Sequence, residues 1–245
     1  MHLSVIIPAY NEEDRITKTI RSVSEFLSSE NYDYEILVVD DGSRDKIIQV
    51  VDDLKKEITN LELIGNKDNN GKGYVVGQGM LRARGDVRLF MDADNATPID
   101  YIKDAEVWIS RGFDVVIASL TEPGSKIVGH EMWYRRFLGR IANMITQILA
   151  TPGISDTQRG FKVFTSKAAE DIFSRTTIKR WGFDMEALAL AQKLGYKIKS
   201  IPIIWNNNPN SRVNIWAYPK TLLDAVKIRW NLWTGIYNNK SKRHA

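Results

Sequence analysis

Short apolar runs separated by helical periodicity fill the first 120 residues of the chain. Five runs, Leu3–Pro8, Glu35–Asp40, Leu61–Asn66, Val87–Asp92 and Val115–Ser119, are apolar or β-branched almost throughout, which predicts strands covered on both faces. Helical patterning lies between them, near 12–29, 44–57, 72–83 and 98–110, with Pro98 placed as in a first helical turn. This alternation predicts an α/β fold of βα units around a mostly parallel sheet. In open sheets of that class ligands gather at the carboxyl ends of the strands, so the residues that follow each strand matter most.

The second half of the chain carries a different pattern. In 132–149, Trp133, Phe137, Ile141, Met144, Ile145 and Ile148 recur at helical spacing, with Arg136 and Arg140 on another face. In 219–237, Leu222, Val226, Trp230, Trp233 and Tyr237 form an apolar stripe interleaved with Lys220, Lys227 and Arg229. Tryptophan and basic residues on one amphipathic helix suit a membrane interface, and packing on the rest of the protein explains either segment equally well. The basic tail Lys240-Ser241-Lys242-Arg243 adds attraction to anionic lipid.

Composition narrows the chemistry. With 245 residues, 43% hydrophobic and 26% charged, the chain is an ordinary globular protein with a sizeable core. The absence of cysteine excludes disulfides, iron–sulfur clusters, thiolate zinc and cysteine nucleophiles. Three histidines, His2, His130 and His244, are too scattered for a multi-histidine metal site. The net charge of +4 hides an asymmetry: residues 1–125 hold 14 basic against 23 acidic side chains, and 126–245 hold 20 against 7. No nucleic-acid motif accompanies the basic half, and the acidic half argues against such a partner. The amino-terminal residues lack a basic leader or cleavage site, and no stretch approaches the roughly 20 apolar residues of a membrane span. The expectation is a cytoplasmic protein, peripheral on the cytoplasmic face of a membrane.

Polar clusters follow three of the predicted strands: Pro8-Ala9-Tyr10-Asn11-Glu12, Asp40-Asp41-Gly42-Ser43 and Asp92-Ala93-Asp94. Asn70-Gly71-Lys72-Gly73 opens the third helix. Each alone reads as a turn or cap; together they converge on one sheet edge. The glycine-rich stretch is not a P-loop, because Gly65 lies six residues before Gly71 and Lys72 is followed by Gly73 rather than Ser or Thr. The glycine fingerprint of dinucleotide-binding folds is missing after the first strand, which argues against nicotinamide and flavin chemistry.

Asp92 and Asp94, two residues apart in extended chain, face one side together. Adjacent carboxylates repel unless one is protonated or a cation neutralises them. Magnesium characteristically takes one or two carboxylates plus substrate phosphates, which a nucleoside diphosphate supplies. A cation so placed stabilises charge on a departing diphosphate.

The ordered motifs Pro-Ala-Tyr-Asn-Glu, Asp-Asp-Gly-Ser, Asn-x-Gly-Lys-Gly and Asp-Ala-Asp resemble the inverting glycosyltransferases of GT-A fold that use nucleotide-activated sugars. The resemblance implies a GT-A (Rossmann-like) sheet flanked by helices, with Pro8, Tyr10 and Glu12 lining the nucleotide and Asp40 and Asp41 near base and ribose. It further implies that Asp94 binds Mg2+ or Mn2+ with Asp92 beside it, and that Lys72 contacts the nucleotide or its phosphates. Downstream, the segments Ile154–Lys162, containing Asp156-Thr157-Gln158-Arg159-Gly160-Phe161, and Arg180–Glu186, containing Trp181-Gly182-Phe183-Asp184, are similar to the dolichyl-phosphate β-glucosyltransferase branch of the polyprenyl-phosphate glycosyltransferases. The similarity covers nearly the whole chain. Two family positions differ: a glutamine that follows the acidic pair in related mannosyltransferases is Ala96 here, with Gln158 as candidate substitute metal ligand, and an arginine after the fifth strand is Leu120.

Acceptor chemistry gives an independent argument. A sugar hydroxyl needs a general base, whereas a phosphomonoester with a second pKa of about 6 is already largely ionised at neutral pH. Lipid phosphate therefore needs positioning, for which the planar fork of arginine is suited. Arg135, Arg159, Arg212 and Lys162 are the candidate acceptor-phosphate ligands, and Asp156 the candidate base or orienting group. The organisation expected is a catalytic domain over 1–212, with a nucleotide-sugar half (1–125) and an acceptor half (126–212), followed by an amphipathic helix and basic tail over 213–245. The expected activity is metal-dependent, inverting transfer of a sugar, with UDP-glucose as donor, to a dolichyl or undecaprenyl phosphate. The rivals are transfer to a sugar or protein hydroxyl, and a non-catalytic module that binds anionic membranes.

Overall fold

The structure, a computed structural model, describes residues 1–128, 143–206 and 217–239. A seven-stranded mixed sheet forms its centre. In chain order the strands are β1 (Leu3–Ala9), β2 (Tyr34–Asp40), β3 (Leu61–Gly65), β4 (Val87–Met91), β5 (Val115–Ser119), β7 (Phe161–Thr165) and β8 (Ile198–Pro202). Their order in space is β3-β2-β1-β4-β7-β5-β8. All neighbouring pairs are parallel except those of β7, which runs antiparallel between β4 and β5. A separate parallel pair joins β6 (Lys126–Val128) to β9 (Ile204–Asn206). This is the GT-A architecture that the motifs imply.

Helices α1 (Glu13–Ser29), α2 (Ile47–Leu54), α3 (Lys72–Arg82) and α4 (Tyr101–Ser110) fill the connections of the first half. The helix expected near 98–110 starts at Tyr101, because Ile99 and Asp100 form a tight turn whose carbonyls accept from Ile102 and Lys103. Residues 143–149 are helical (α5), followed by α6 (Ser166–Phe173), α7 (Phe183–Lys193) and α8 (Ala217–Thr234).

Burial explains the uninterrupted apolar runs. Every residue of β1, β2, β4 and β5 is buried, because helices cover both faces of the sheet. On α1, Ile16, Ile20, Val23 and Leu27 repeat at helical spacing and pack on one face of the sheet, each contributing roughly 1.5–3 kcal/mol by burial. Met80, Phe173, Leu188 and Leu190 build the core on the opposite face.

Helix α8 divides its residues differently from the sequence expectation. Thr221, Ala225, Ile228 and Asn231 face inward, with Asn231 Nδ2 donating to Thr177 and Tyr237. Tyr237 is fully buried and donates to Glu186, so it closes the helix onto the body instead of extending an outer stripe. The exposed apolar face consists of Leu223, Val226, Trp230 and Trp233, the last 79% exposed. Met144 and Ile148 on α5 are exposed as well, and Arg229 on α8 donates to the Ile148 carbonyl at 3.1 Å. Trp133, Phe137 and Ile141 lie outside the described residues.

Candidate active site

The carboxyl ends of β1, β2 and β4 meet the entry to antiparallel β7 on one edge of the sheet. The loops after β1 and β2 are tied together. Ser43 Oγ accepts from the Asn11 backbone at 2.9 Å, Asn11 Oδ1 accepts from the Arg44 backbone, and Glu13 and Asp45 exchange backbone bonds with each other's loops. Asn11 takes a left-handed φ of 54°, a conformation that asparagine tolerates better than most residues. Pro8 is buried within β1 opposite Val39, Tyr10 is exposed at the edge, and Glu12 stands immediately before α1.

Asp40 and Asp41 brace these loops at the end of β2. Asp40 is fully buried and accepts from the Ser43 hydroxyl and backbone N–H. Asp41 accepts from the backbone of Asn70 at 2.7 Å and of Gly71 at 2.9 Å. Burial pushes the Asp41 carboxyl above the ordinary range, against the pull of those two N–H groups. Both aspartates thus anchor the loops that resemblance assigns to the nucleotide. Gly71, with φ of 103°, packs so closely that a Cβ would lie 2.5 Å from the Lys179 carbonyl oxygen.

From Gly71 the chain enters α3, and Lys72 reaches Asp92, its ammonium 2.5 Å from Oδ1. Burial opposes the charge on Lys72, but the Asp92, Asp184 and Asp94 carboxylates outweigh it and raise its pKa above the ordinary lysine value. Its ammonium also lies 5.6 Å from the Trp181 ring and 5.9 Å from that of Phe183. These two aromatics part ways: Phe183 packs in the core against Phe90, while Trp181 is 52% exposed at the site.

Asp94 accepts from the Ala96 N–H at 3.1 Å. Burial and then the neighbouring Asp92 push its carboxyl above the usual range. That excess of negative charge is what a divalent cation relieves. Among the described residues no group of three or more His, Cys, Asp or Glu gathers to hold a metal. Two carboxylates fit magnesium or manganese whose other positions are filled by phosphate oxygens and water. Gln158 is exposed on the loop before β7.

That loop also carries the acceptor candidates. The Gly160 carbonyl accepts from the Asp92 N–H at 3.0 Å. One residue earlier, the Arg159 guanidinium lies 4.9 Å from the Trp205 ring and donates to Asp156 Oδ2 at 3.1 Å. The same Asp156 oxygen accepts from the Leu120 N–H at 2.9 Å, so this carboxylate ties β5 to the loop and aims the arginine. Trp205, on β9, has no motif to announce it; only the fold brings it under Arg159. Arg135 and Arg212 lie outside the described residues.

Lys162 is placed otherwise than expected. It is 0% exposed, donates to Asp184 at 2.6 Å and to the Arg159 carbonyl, and sits 5.2 Å from the Phe90 ring. An ammonium held on a central strand in this way supports Asp184 and is not presented to an acceptor phosphate. Glu186, also fully buried, accepts from the backbones of Thr177 and Ile178 and from the hydroxyls of Thr177 and Tyr237. It fixes the segment that leads to Trp181, as the cost of an unpaired buried carboxylate requires.

Comparison with known proteins agrees with this geometry. The glycosyl transferase family 2 sequence model matches residues 4–173. A dolichyl-phosphate beta-glucosyltransferase of Trichomonas vaginalis is 34% identical over 96% of this chain and 76% of its own length. The dolichyl-phosphate beta-glucosyltransferase of Dictyostelium discoideum is 34% identical over 98% of this chain and 78% of its own. Among solved structures, mannosyl-3-phosphoglycerate synthase from Rubrobacter xylanophilus superposes with a TM-score of 0.71 at 16% identity, covering 99% of this chain and 77% of that one. Glucosyl-3-phosphoglycerate synthase from Mycobacterium tuberculosis, in complex with UDP, gives 0.67 at 14% identity, over 94% and 80%. The loops locked at the ends of β1 and β2, the acidic pair after β4 and the sequence kinship have one reading: the chain belongs to glycosyl transferase family 2 and is a glycosyltransferase.

Proposed function

We propose that the protein transfers glucose, with inversion, from UDP-glucose to a polyprenyl phosphate, with Mg2+ or Mn2+ held by Asp94 and Asp92. The single observation that carries the reading is the placement of Arg159, aimed by Asp156 and shelved on Trp205, one residue from the Gly160 contact with Asp92. A guanidinium is thereby carried on the loop whose next residue binds the Asp92 backbone, next to the acidic pair in the fold. The kinship to dolichyl-phosphate beta-glucosyltransferases supports the sugar and acceptor. The UDP complex of a protein with the same fold supports the nucleotide.

In this mechanism a phosphate oxygen of the lipid attacks the anomeric carbon of the donor from the side opposite the diphosphate. The bond from that carbon to the UDP phosphate oxygen breaks, UDP leaves with the electron pair, and a sugar–phosphate ester forms. Asp94 and Asp92 would hold the divalent cation, which would supply charge stabilisation for the departing diphosphate. Arg159 binds and orients the nucleophile. No residue needs to remove a proton, since the acceptor is already a dianion above about pH 6. Asp156, with one oxygen committed to Leu120 and Arg159, serves as a positioning residue.

Arg159→Ala is expected to raise the acceptor KM by about 10- to 100-fold while leaving UDP affinity within a factor of three, because an arginine–phosphate pair is worth a few kcal/mol. Steady-state kinetics with varied lipid, beside UDP calorimetry, check this; an unchanged acceptor KM removes Arg159 from the site. The whole reading is tested by incubating the protein with labelled UDP-glucose, Mn2+ and a polyprenyl phosphate, then extracting into organic solvent. Label in the organic phase is expected. Label confined to water with every donor tried contradicts the proposal.

The exposed face of α8 gives such an enzyme its approach to the lipid. Leu223, Val226, Trp230 and Trp233 project outward, Lys220 and Lys227 are exposed on the same helix, and Asp224 is turned inward to the Gly182 N–H. An apolar stripe with tryptophan and lysine fits an anionic membrane surface. Among the described residues no helix is long and apolar enough to cross a membrane. Replacing Trp230 and Trp233 with Ser is expected to lower the fraction that sediments with phosphatidylserine vesicles by about ten-fold. Undiminished sedimentation places membrane contact elsewhere.

A further inference from the structure

Lys72 occupies a place in the acidic site that is itself a cation site. Its ammonium sits on Asp92 at 2.5 Å, and Asp94 and Asp184 add their fields to it. Asp184 is in turn braced by the fully buried Lys162. The charges therefore alternate across the site: Asp94 and Asp92, then Lys72, then Asp184 and Lys162. Side-chain exposure of 21% for Lys72 and 35% for Asp92 leaves the pair open to an arriving ligand. The Lys72 backbone belongs to the first turn of α3, directly after the Gly71 that Asp41 pins, so the long side chain is the part free to move.

We infer that Lys72 is a displaceable internal counter-ion: its ammonium neutralises Asp92 while the site is empty, competes with the divalent cation for that carboxylate, and gives way when a donor diphosphate offers it another anionic partner. This rests on the proposed metal site at Asp92 and Asp94. The consequence is coupled loading. Free metal meets a carboxylate already paired, so it binds weakly; nucleoside diphosphate draws the ammonium off and opens Asp92. By reciprocity the cation must tighten the nucleotide by the same factor by which the nucleotide tightens the cation. The half-exposed Trp181 ring, 5.6 Å from the ammonium, lets some cation stabilisation be kept as it leaves Asp92.

The test is Mn2+ binding followed by electron paramagnetic resonance, with no turnover involved, on the wild-type protein, Lys72→Met, Lys72→Arg and Arg15→Met, each with and without UDP. Lys72→Met is expected to bind Mn2+ without nucleotide about ten-fold more tightly than wild type, and to gain about ten-fold less from UDP. Arg15, whose charge acts on Asp94 without sitting on either carboxylate, controls for the mere loss of a positive charge; Arg15→Met should shift Mn2+ affinity by less than about three-fold. Lys72→Arg keeps a cation on Asp92 and should bind free Mn2+ no more tightly than wild type, and it carries the test should Lys72→Met fail to fold. Lys72→Met binding free Mn2+ no better than wild type, an equal shift in Arg15→Met, or tighter binding by Lys72→Arg each overturns the counter-ion role and leaves the metal site standing. Wild-type protein that binds no Mn2+ even with UDP overturns the metal site itself.

Discussion

Asp94→Asn is expected to lower kcat by about 10³-fold or more while the protein keeps its fold, because the substitution removes charge where transition-state stabilisation is greatest and changes little else. Asparagine has the same shape and still presents an oxygen to the Ala96 N–H, which the aspartate accepts at 3.1 Å. Burial and the neighbouring Asp92 already disfavour the ionised Asp94 in the absence of a cation. A neutral side chain should therefore leave the melting temperature of the metal-free protein unchanged or slightly raised. The sign follows from linkage: a carboxyl whose pKa is raised by folding stabilises the fold most when it is uncharged. Kinetics and thermal melts on the same preparation check both parts. Retained turnover in Asp94→Asn would remove the acidic pair from the chemistry, and a collapsed fold would make the residue structural.

The second large effect is expected at Gly160. A Cβ there would lie 2.0 Å from Asp92 Oδ2 and 2.1 Å from its Cγ, so Gly160→Ala drives the Asp92 carboxylate out of its place. Asp92 is short, and it is held by Lys72 on one side and by its own N–H to the Gly160 carbonyl on the other. A displacement of about 1 Å at a reacting centre costs on the order of 100-fold, so a drop of that size in kcat is the expected result. The Gly160 backbone does not require a left-handed φ, in contrast to Gly71, so alanine fits the chain itself. Gly160→Ala should accordingly melt close to wild type, and activity within three-fold of wild type would show that Asp92 is free to move without consequence.

The difference between Gly160 and Gly71 shows what the sequence discloses and what it hides. Gly71 stands in a motif and at a helix start, where a special backbone is expected. Gly160 stands in a motif too, but nothing in the motif ties it to Asp92, and that role appears only when β7 is laid antiparallel beside β4, bringing its carbonyl to Asp92. The first five strands were legible because a sheet covered on both faces demands unbroken apolar runs, and the observed strands match those runs to within a residue or so. The antiparallel insertion of β7 between β4 and β5 was not legible, since a run such as Phe161–Thr165 carries no sign of direction. The place of Lys162 is hidden for the same reason. Beside Arg159 it reads as a second phosphate ligand, yet it belongs to a central strand and finds its partner in Asp184 on α7. Asp40 and Asp41 were rightly placed at the strand end, but their hydrogen bonds go to Ser43, Asn70 and Gly71, a tertiary fact that spacing does not encode. Trp205 left no signal because its value lies wholly in the ring beneath Arg159.

The exposed stripe of α8 follows the same logic. Helical periodicity identified an amphipathic segment, but an amphipathic helix has one face for the core and another for solvent, and a sequence rich in apolar residues on both cannot say which is which. The buried hydrogen bond from Tyr237 to Glu186 settles the question by fixing the end of the helix to the body. Leu223 then points outward in place of Leu222 and Tyr237.

In the proposed reaction a lipid-phosphate nucleophile joins glucose to phosphorus through oxygen, with inversion at the anomeric carbon. UDP-glucose carrying 13C at the anomeric carbon, incubated with the protein, Mn2+ and a polyprenyl phosphate, reports on that bond directly by nuclear magnetic resonance of the extracted lipid. An anomeric carbon coupled to phosphorus in a β-configured product is expected. An anomeric carbon without coupling to phosphorus in the acceptor product, or one of α configuration, contradicts it.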